Sequence, residues 1–128
     1  MEPISLGIPG GVLDSLPEED GAAAQDMRRA VQGIESSLNR AIENADSESE
    51  AAGTVLDAVE AMEGHAERYH EFVPELRAWG QSPIYAIAWR NLYLELLAEL
   101  TSVEWLEPHM DRERNFRIVE DGIRFGGN

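Results

Sequence analysis

Residues 82–107, SPIYAIAWRNLYLELLAELTSVEWLE, decide how this chain folds. Ser82 stands where a helix N-cap belongs, and Pro83 follows at the first helical position, where a missing N–H costs nothing. The spacing predicts a helix to about Glu107, ended or kinked by Pro108. Ile84, Tyr85, Ile87, Trp89, Leu92, Tyr93, Leu94, Leu96, Leu97, Leu100, Val103, Trp105 and Leu106 cover more than one face of it. A helix apolar on most sides must be central in its domain or covered by a second subunit.

Two amphipathic helices precede this segment. From about Asp20 to Ala45, Met27, Val31, Ile34, Leu38 and Ala41 repeat at 4-3-4-3 and share one face. Arg28, Arg29, Glu35, Asn39 and Arg40 fall off that face. The polar run 44–50 is a connection, with Ser47 or Ser49 available as an N-cap. The second helix begins near Glu50 and reaches at least Glu71. Its stripe of Ala52, Val55, Val59, Met62, Ala66, Tyr69, Val73 and Leu76 is a heptad-like seam suited to shallow-angle packing. The stripe keeps its phase through Pro74, which predicts a kink or a short collinear segment there.

The ends differ from the middle. Pro3, Gly7, Pro9, Gly10, Gly11 and Pro17 make residues 1–19 an extended arm, with one turn near Val12 to Leu16. Ile4, Leu6, Ile8, Val12, Leu13 and Leu16 make that arm apolar enough to pack on its own domain or on a neighbour. In residues 111–128, two short alternating segments flank Asp121-Gly122, a hairpin signal. The expected architecture is therefore mainly all-α: an extended arm (1–19), an antiparallel three-helix bundle (20–110) and a short C-terminal β-hairpin (111–128).

Composition narrows the function. The 128 residues carry 25 Asp and Glu against 10 basic residues, a net charge of −15, and every basic residue is arginine. Phosphate binding requires a basic patch that releases counterions, so direct nucleic-acid binding is disfavoured. Anionic membranes would repel the chain for the same reason. The bias has two explanations: a halophilic-like surface that stays soluble in high salt, or mimicry of DNA by ordered carboxylates. Composition alone favours the first.

The chain contains no cysteine, which excludes a disulfide framework and thiolate chemistry. MEPISLGIPGG has no basic region ahead of an apolar stretch, and the apolar run Ile84–Leu100 is interrupted by Arg90, Asn91, Glu95 and Glu99. A cytoplasmic protein, or one assembled into a particle there, is expected.

Catalytic and metal motifs are sparse. Glu67 and His70 form a Glu-x-x-His pair, the spacing used by carboxylate-bridged di-iron bundles, and Glu63 lies near them. A second such pair is missing, because His109 follows Pro108 and breaks the spacing with Glu104 and Glu107. The pair is therefore read as part of a solvated acidic face, and neither metal nor cofactor is expected. Glu95 and Glu99, four apart among leucines, are read as a solvated stripe rather than as an acid–base pair. No nucleophile elbow or P-loop is present, and no enzyme is expected.

Assembly is the reading that remains. The apolar breadth of the third helix exceeds what two other helices easily hide, and aromatic residues with arginine nearby are the usual make-up of an interface centre. The expected interface comprises Trp89, Leu92, Tyr93, Leu96, Leu97, Leu100 and Trp105 on that helix, with Phe116, Ile118, Ile123 and Phe125 in the hairpin. An acidic middle (Glu43 to Glu75) and an arginine-rich end could meet head to tail between identical subunits. A non-enzymatic, homo-oligomeric structural or adaptor protein is expected, of the general make-up of small connector subunits in virus particles (an analogy of fold only). A metal-binding bundle and an acidic DNA-mimic inhibitor are the alternatives.

Overall fold

The computed structural model describes residues 1–17 and 21–110. Over these the chain is mostly helical, with no strand among the described residues. A short helix α1 (Gly10–Asp14) follows the arm, and three long helices come next: α2 (Ala22–Asn44), α3 (Glu48–Ala78) and α4 (Ile84–Thr101). A 3-10 helix, Glu104–His109, completes the described chain. No helix among the described residues is long and apolar enough to cross a membrane. The predicted hairpin, with Phe116, Ile118, Ile123 and Phe125, lies outside the described residues.

Local signals account for most boundaries. Ser47 caps α3: its hydroxyl accepts the Glu50 N–H at 3.1 Å, while the Glu50 carboxylate accepts the Asp46 N–H at 3.2 Å. Helix α3 runs unbroken through Pro74, so the expected kink does not divide it. Proline removes the bond to the carbonyl of His70, and both residues lie on an exposed face where water can take that acceptor. Gly80 ends the α3 region with φ 73°, and Gln81 N–H donates to Leu76 O at 2.9 Å. This six-to-one closure requires a left-handed residue, which glycine supplies without a Cβ penalty.

Helix α4 departs from expectation at both ends. It starts at Ile84 rather than Pro83, with Ser82 Oγ accepting the Ile84 N–H at 3.4 Å. It stops at Thr101, well before Glu107. The hydroxyls of Thr101 and Ser102 both donate back to Ala98 O, competing with the main-chain ladder. Val103 then turns extended and the chain re-enters as the 3-10 helix.

Helix α4 returns along α3, because residue pairs between them ascend on one and descend on the other. His70 meets Arg90, Tyr69 meets Trp89, and His65 meets Tyr93. One continuous core joins the arm, all four α-helices and the 3-10 helix, with Met27, Val55, Val59, Leu92, Leu94, Leu96, Leu97, Leu100 and Leu106 buried in it. Each such side chain contributes roughly 1.5–3 kcal/mol relative to exposure.

The apolar breadth of α4 is met largely inside the chain. The arm and α1 cover α4, burying Ile4, Val12 and Leu16. Asn39 of α2 holds the arm by donating to Ile4 O at 2.8 Å and accepting Ile4 N–H at 2.7 Å. Leu6 N–H donates to Glu35 at 2.7 Å, Gly7 N–H to Glu99 at 3.4 Å, and the Trp105 indole to Glu2 O at 3.2 Å. Asn39 and Glu35 lie off the apolar stripe of α2, where they serve as a polar seat for an extended segment.

Candidate functional site

Four of the leucines expected at an interface are core residues. Leu92, Leu96, Leu97 and Leu100 are fully buried within the chain and are not available to a partner in this conformation. Trp89, Tyr93 and Trp105 are half-buried. The four leucines are closed off inside the chain, chiefly by α3 and further by α1.

Trp89 and Tyr93 belong to an aromatic wall. Tyr69 stacks on Trp89 at 6.3 Å and on Tyr93 at 6.2 Å, while the His65 ring lies 5.1 Å from Tyr93. Such pairs stiffen the α3–α4 contact beyond their buried area. On the α2 side, Ala30, Gly33, Ile34 and Ser37 face His65 and Tyr93 across an open, mainly apolar groove of about 490 Å³. Burial pushes the His65 imidazole below its ordinary value, and the Arg68 guanidinium acts in the same direction. Arg68 also donates to His65 Nδ1, which holds the ring as a neutral acceptor. Burial raises the Tyr93 phenol, with Tyr69 adding to the shift and Arg68 opposing it.

The candidate metal residues do not converge. His70 Nδ1 accepts from Arg90 at 3.2 Å, so a guanidinium occupies one of its two ring nitrogens. Among the described residues no three His, Asp or Glu side chains are grouped to hold an ion. Glu63 is buried within the chain, whereas Glu67 is half-buried on the same helix. Glu99 is raised by burial; its bond from Gly7 opposes that shift and Glu95 adds to it. Its carboxylate is thus tied to the arm.

Among the described residues, four of the five exposed large hydrophobic side chains lie elsewhere, around the tip where α3 turns into α4; Met1 is the fifth. Trp79 is 65% exposed and Tyr85 51%, with Phe72 and Ile84 also open. Phe72 and Trp79 meet edge to face at 6.2 Å. The Gly80 turn holds Trp79 at the apex, where Phe72 of α3 meets it and most of the indole stays open. These residues flank Gly80 and Pro83, a turn signature that marks an end of the hairpin rather than its middle. Phe72, Trp79, Ile84 and Tyr85 lie outside the expected interface, although Trp79 and Tyr85 stand in the same aromatic run of the sequence as Trp89 and Tyr93.

Arg90 sits just behind this tip and is only 7% exposed. It donates to His70 and to Asn91, at 3.2 and 3.1 Å, both neutral acceptors. Burial lowers its pKa, and neighbouring Arg77 lowers it further.

The profile of a family of unknown function (DUF7971) matches residues 1–127, and the chain belongs to that family. No curated protein and no solved structure matches it.

Proposed function

We propose that this chain, a member of a family that carries no assigned activity, is a non-enzymatic structural or adaptor protein that works by protein–protein assembly, with further copies of itself as partners. The supporting observation is the concentration of Phe72, Trp79, Ile84 and Tyr85 at one end of the molecule. Aromatic side chains open to water and gathered at one place are the usual anchors of a protein interface. The expected interface therefore moves from the middle of α4 to the tip of the α3–α4 hairpin.

The same reading includes an antiparallel three-helix bundle of α2, α3 and α4, completed by a short hairpin within residues 111–128. A lone hairpin is marginal in water and would gain order on the bundle or on a neighbour. A connector-type subunit of a larger, virion-like complex fits this make-up. A net charge of −15 supports protein partners rather than nucleic acid or an anionic membrane. Neither alternative gains support: the Glu63, Glu67 and His70 set does not converge, and no described feature singles out a DNA-mimicking row of carboxylates.

The test is molar mass in solution, by light scattering coupled to gel filtration, at low and near-molar salt. A defined oligomer, or assembly that grows with salt, supports the proposal. A monodisperse monomer at high protein concentration in both salts overturns the homo-oligomeric reading.

A further inference from the structure

Helix α2 has two flanks beside its buried stripe, and only one of them is covered. On the covered flank, Asn39 and Glu35 seat the arm, and Gly7 ties it across to Glu99 of α4. An extended apolar segment therefore fills the channel between α2 and α4, with Ile4 buried beneath it. On the other flank, Ala30, Ile34 and Ser37 face Ala61 and His65 of α3 across the open groove of about 490 Å³, with Tyr93 in its wall. No carboxylate lines that groove among the described residues.

The described chain ends beside the start of α3. His109 meets Glu48 at 3.3 Å, and Met110 packs against the core. Along α3 from Glu48, Ala58 lies about 15 Å away and His65 about 25 Å, at 1.5 Å per residue. Extended chain rises roughly 3.3 Å per residue, so extension from Met110 carries Phe116 about 20 Å and Ile118 about 26 Å. Both fall at the level of the groove. Two residues apart, Phe116 and Ile118 also share one face of an extended segment, as Ile4 and Leu6 do in the arm.

Resting on the hairpin that the reading above assigns to residues 111–128, we propose that this hairpin packs on its own chain, in the α2–α3 groove, with Phe116 and Ile118 turned inward. The reach from Met110 selects that occupant. A tether this short holds the segment near the groove at an effective concentration on the order of millimolar, which the tail of a second copy matches only in concentrated solution. Charge does not oppose the contact: four arginines balance four carboxylates among the side chains of residues 111–128.

The lining suits a hairpin better than a single strand. The arm has no ladder and takes Asn39, Glu35 and Glu99 as partners for its main chain. A hairpin closes its own ladder and needs chiefly an apolar seat. Gly33 leaves room for that seat, since a Cβ there would meet nothing within 4 Å. Docking closes the groove over His65 and Tyr93 and leaves the α3–α4 tip as the open aromatic surface.

The chain has no cysteine, so an introduced pair of thiols reports alone. In the full-length protein, Ala61→Cys/Ile118→Cys sets one thiol on the exposed rim of the groove and one in the hairpin. Ala98→Cys/Ile118→Cys is the control, because Ala98 is exposed on α4 and outside the groove. Melting followed by circular dichroism establishes that both variants fold, and a short bismaleimide with mass spectrometry reads the linked product. The expected result is an intrachain link in the Ala61 pair, formed at least tenfold faster than in the control and independent of protein concentration. Adding Phe116→Ala should slow it at least tenfold. A product of twice the monomer mass that grows with concentration gives the groove to a second copy's tail and overturns docking within the chain. Equal rates in the pair and the control overturn docking in the groove. Amide exchange of the wild type tests the hairpin separately. Protected amides across residues 116–125 together with equal linking rates leave the hairpin standing and remove its seat, whereas unprotected amides overturn both.

Discussion

Asn39 and Ile4 exchange two hydrogen bonds, the carboxamide donating to the Ile4 carbonyl at 2.8 Å and accepting its N–H at 2.7 Å. One side chain of α2 thereby satisfies both main-chain groups of an arm residue whose own side chain is buried in the core. An extended segment has no helical ladder to satisfy its backbone, so it lies on a protein surface only where such partners exist.

Replacing Asn39 by Ala removes both partners at once. A loss of roughly 2 kcal/mol is expected, about one per bond with the exposed Ile4 groups regaining water. Amide hydrogen exchange is the informative readout: Ile4 and Leu6 lose protection, while amides in the middle of α3 keep theirs. Unchanged protection at Ile4 would mean that apolar burial alone holds the arm.

Leu96→Ala distinguishes a core position from an interface position. Leu96 is fully buried within the chain, so truncation should cost about 2–5 kcal/mol in denaturant melts. The mass of the folded variant at near-molar salt should match that of the wild type. Loss of assembly without loss of stability would return α4 to the interface.

Trp79→Ala has the opposite signature. The side chain is mostly open to water, so stability should stay within roughly 0.5 kcal/mol of wild type. The protein concentration for half-assembly should rise at least tenfold, as expected for an aromatic interface anchor (about 1.4 kcal/mol per tenfold). An unchanged concentration would remove the tip from the interface.

Glu99 links stability to pH. Its folded pKa is raised, so its favourable contribution is fully present below the unfolded carboxylate value and is lost as pH rises through the folded one. Glu99→Gln retains an acceptor for the Gly7 N–H and removes the charge beside Glu95. A rise in Tm on the order of 1–2 °C is expected at pH 7, scaled down for partial exposure, and vanishing toward pH 4. A gain that persists at pH 4 would point to packing rather than ionisation.

Ser47→Ala should destabilise by about 1 kcal/mol, because the Glu50 N–H loses its partner at the start of α3. Ser47→Asp, which keeps an acceptor at that place, should restore it, as chemical denaturation would show.

Periodicity alone located the three long helices. In the stripes from Met27 to Ala41 and from Ala52 to Leu76 most side chains are buried and Ile34, Ala41, Tyr69 and Leu76 are half-buried, since a 3.6-residue repeat places them on one face in any context. The α3 cap was legible to within two residues, Ser47 or Ser49, because capping depends on a few adjacent residues. The early end of α4 was not, because Thr101 and Ser102 bond back to Ala98 through hydroxyls whose choice between main chain and water is open in sequence.

What the amino-acid order determined about this protein was local: helical content, the amphipathic faces, the caps, and a charge distribution with an acid-free stretch from 76 to 94. What only the tertiary structure decided was which apolar surface stays open. Helix α4 carries enough leucine for either a core or an interface; α3 closes off most of it, with α1 and an arm about 90 residues earlier in the chain as a further cover. Contacts of that separation leave no periodic trace, so covered Leu96 and uncovered Trp79 look alike until the chain is folded.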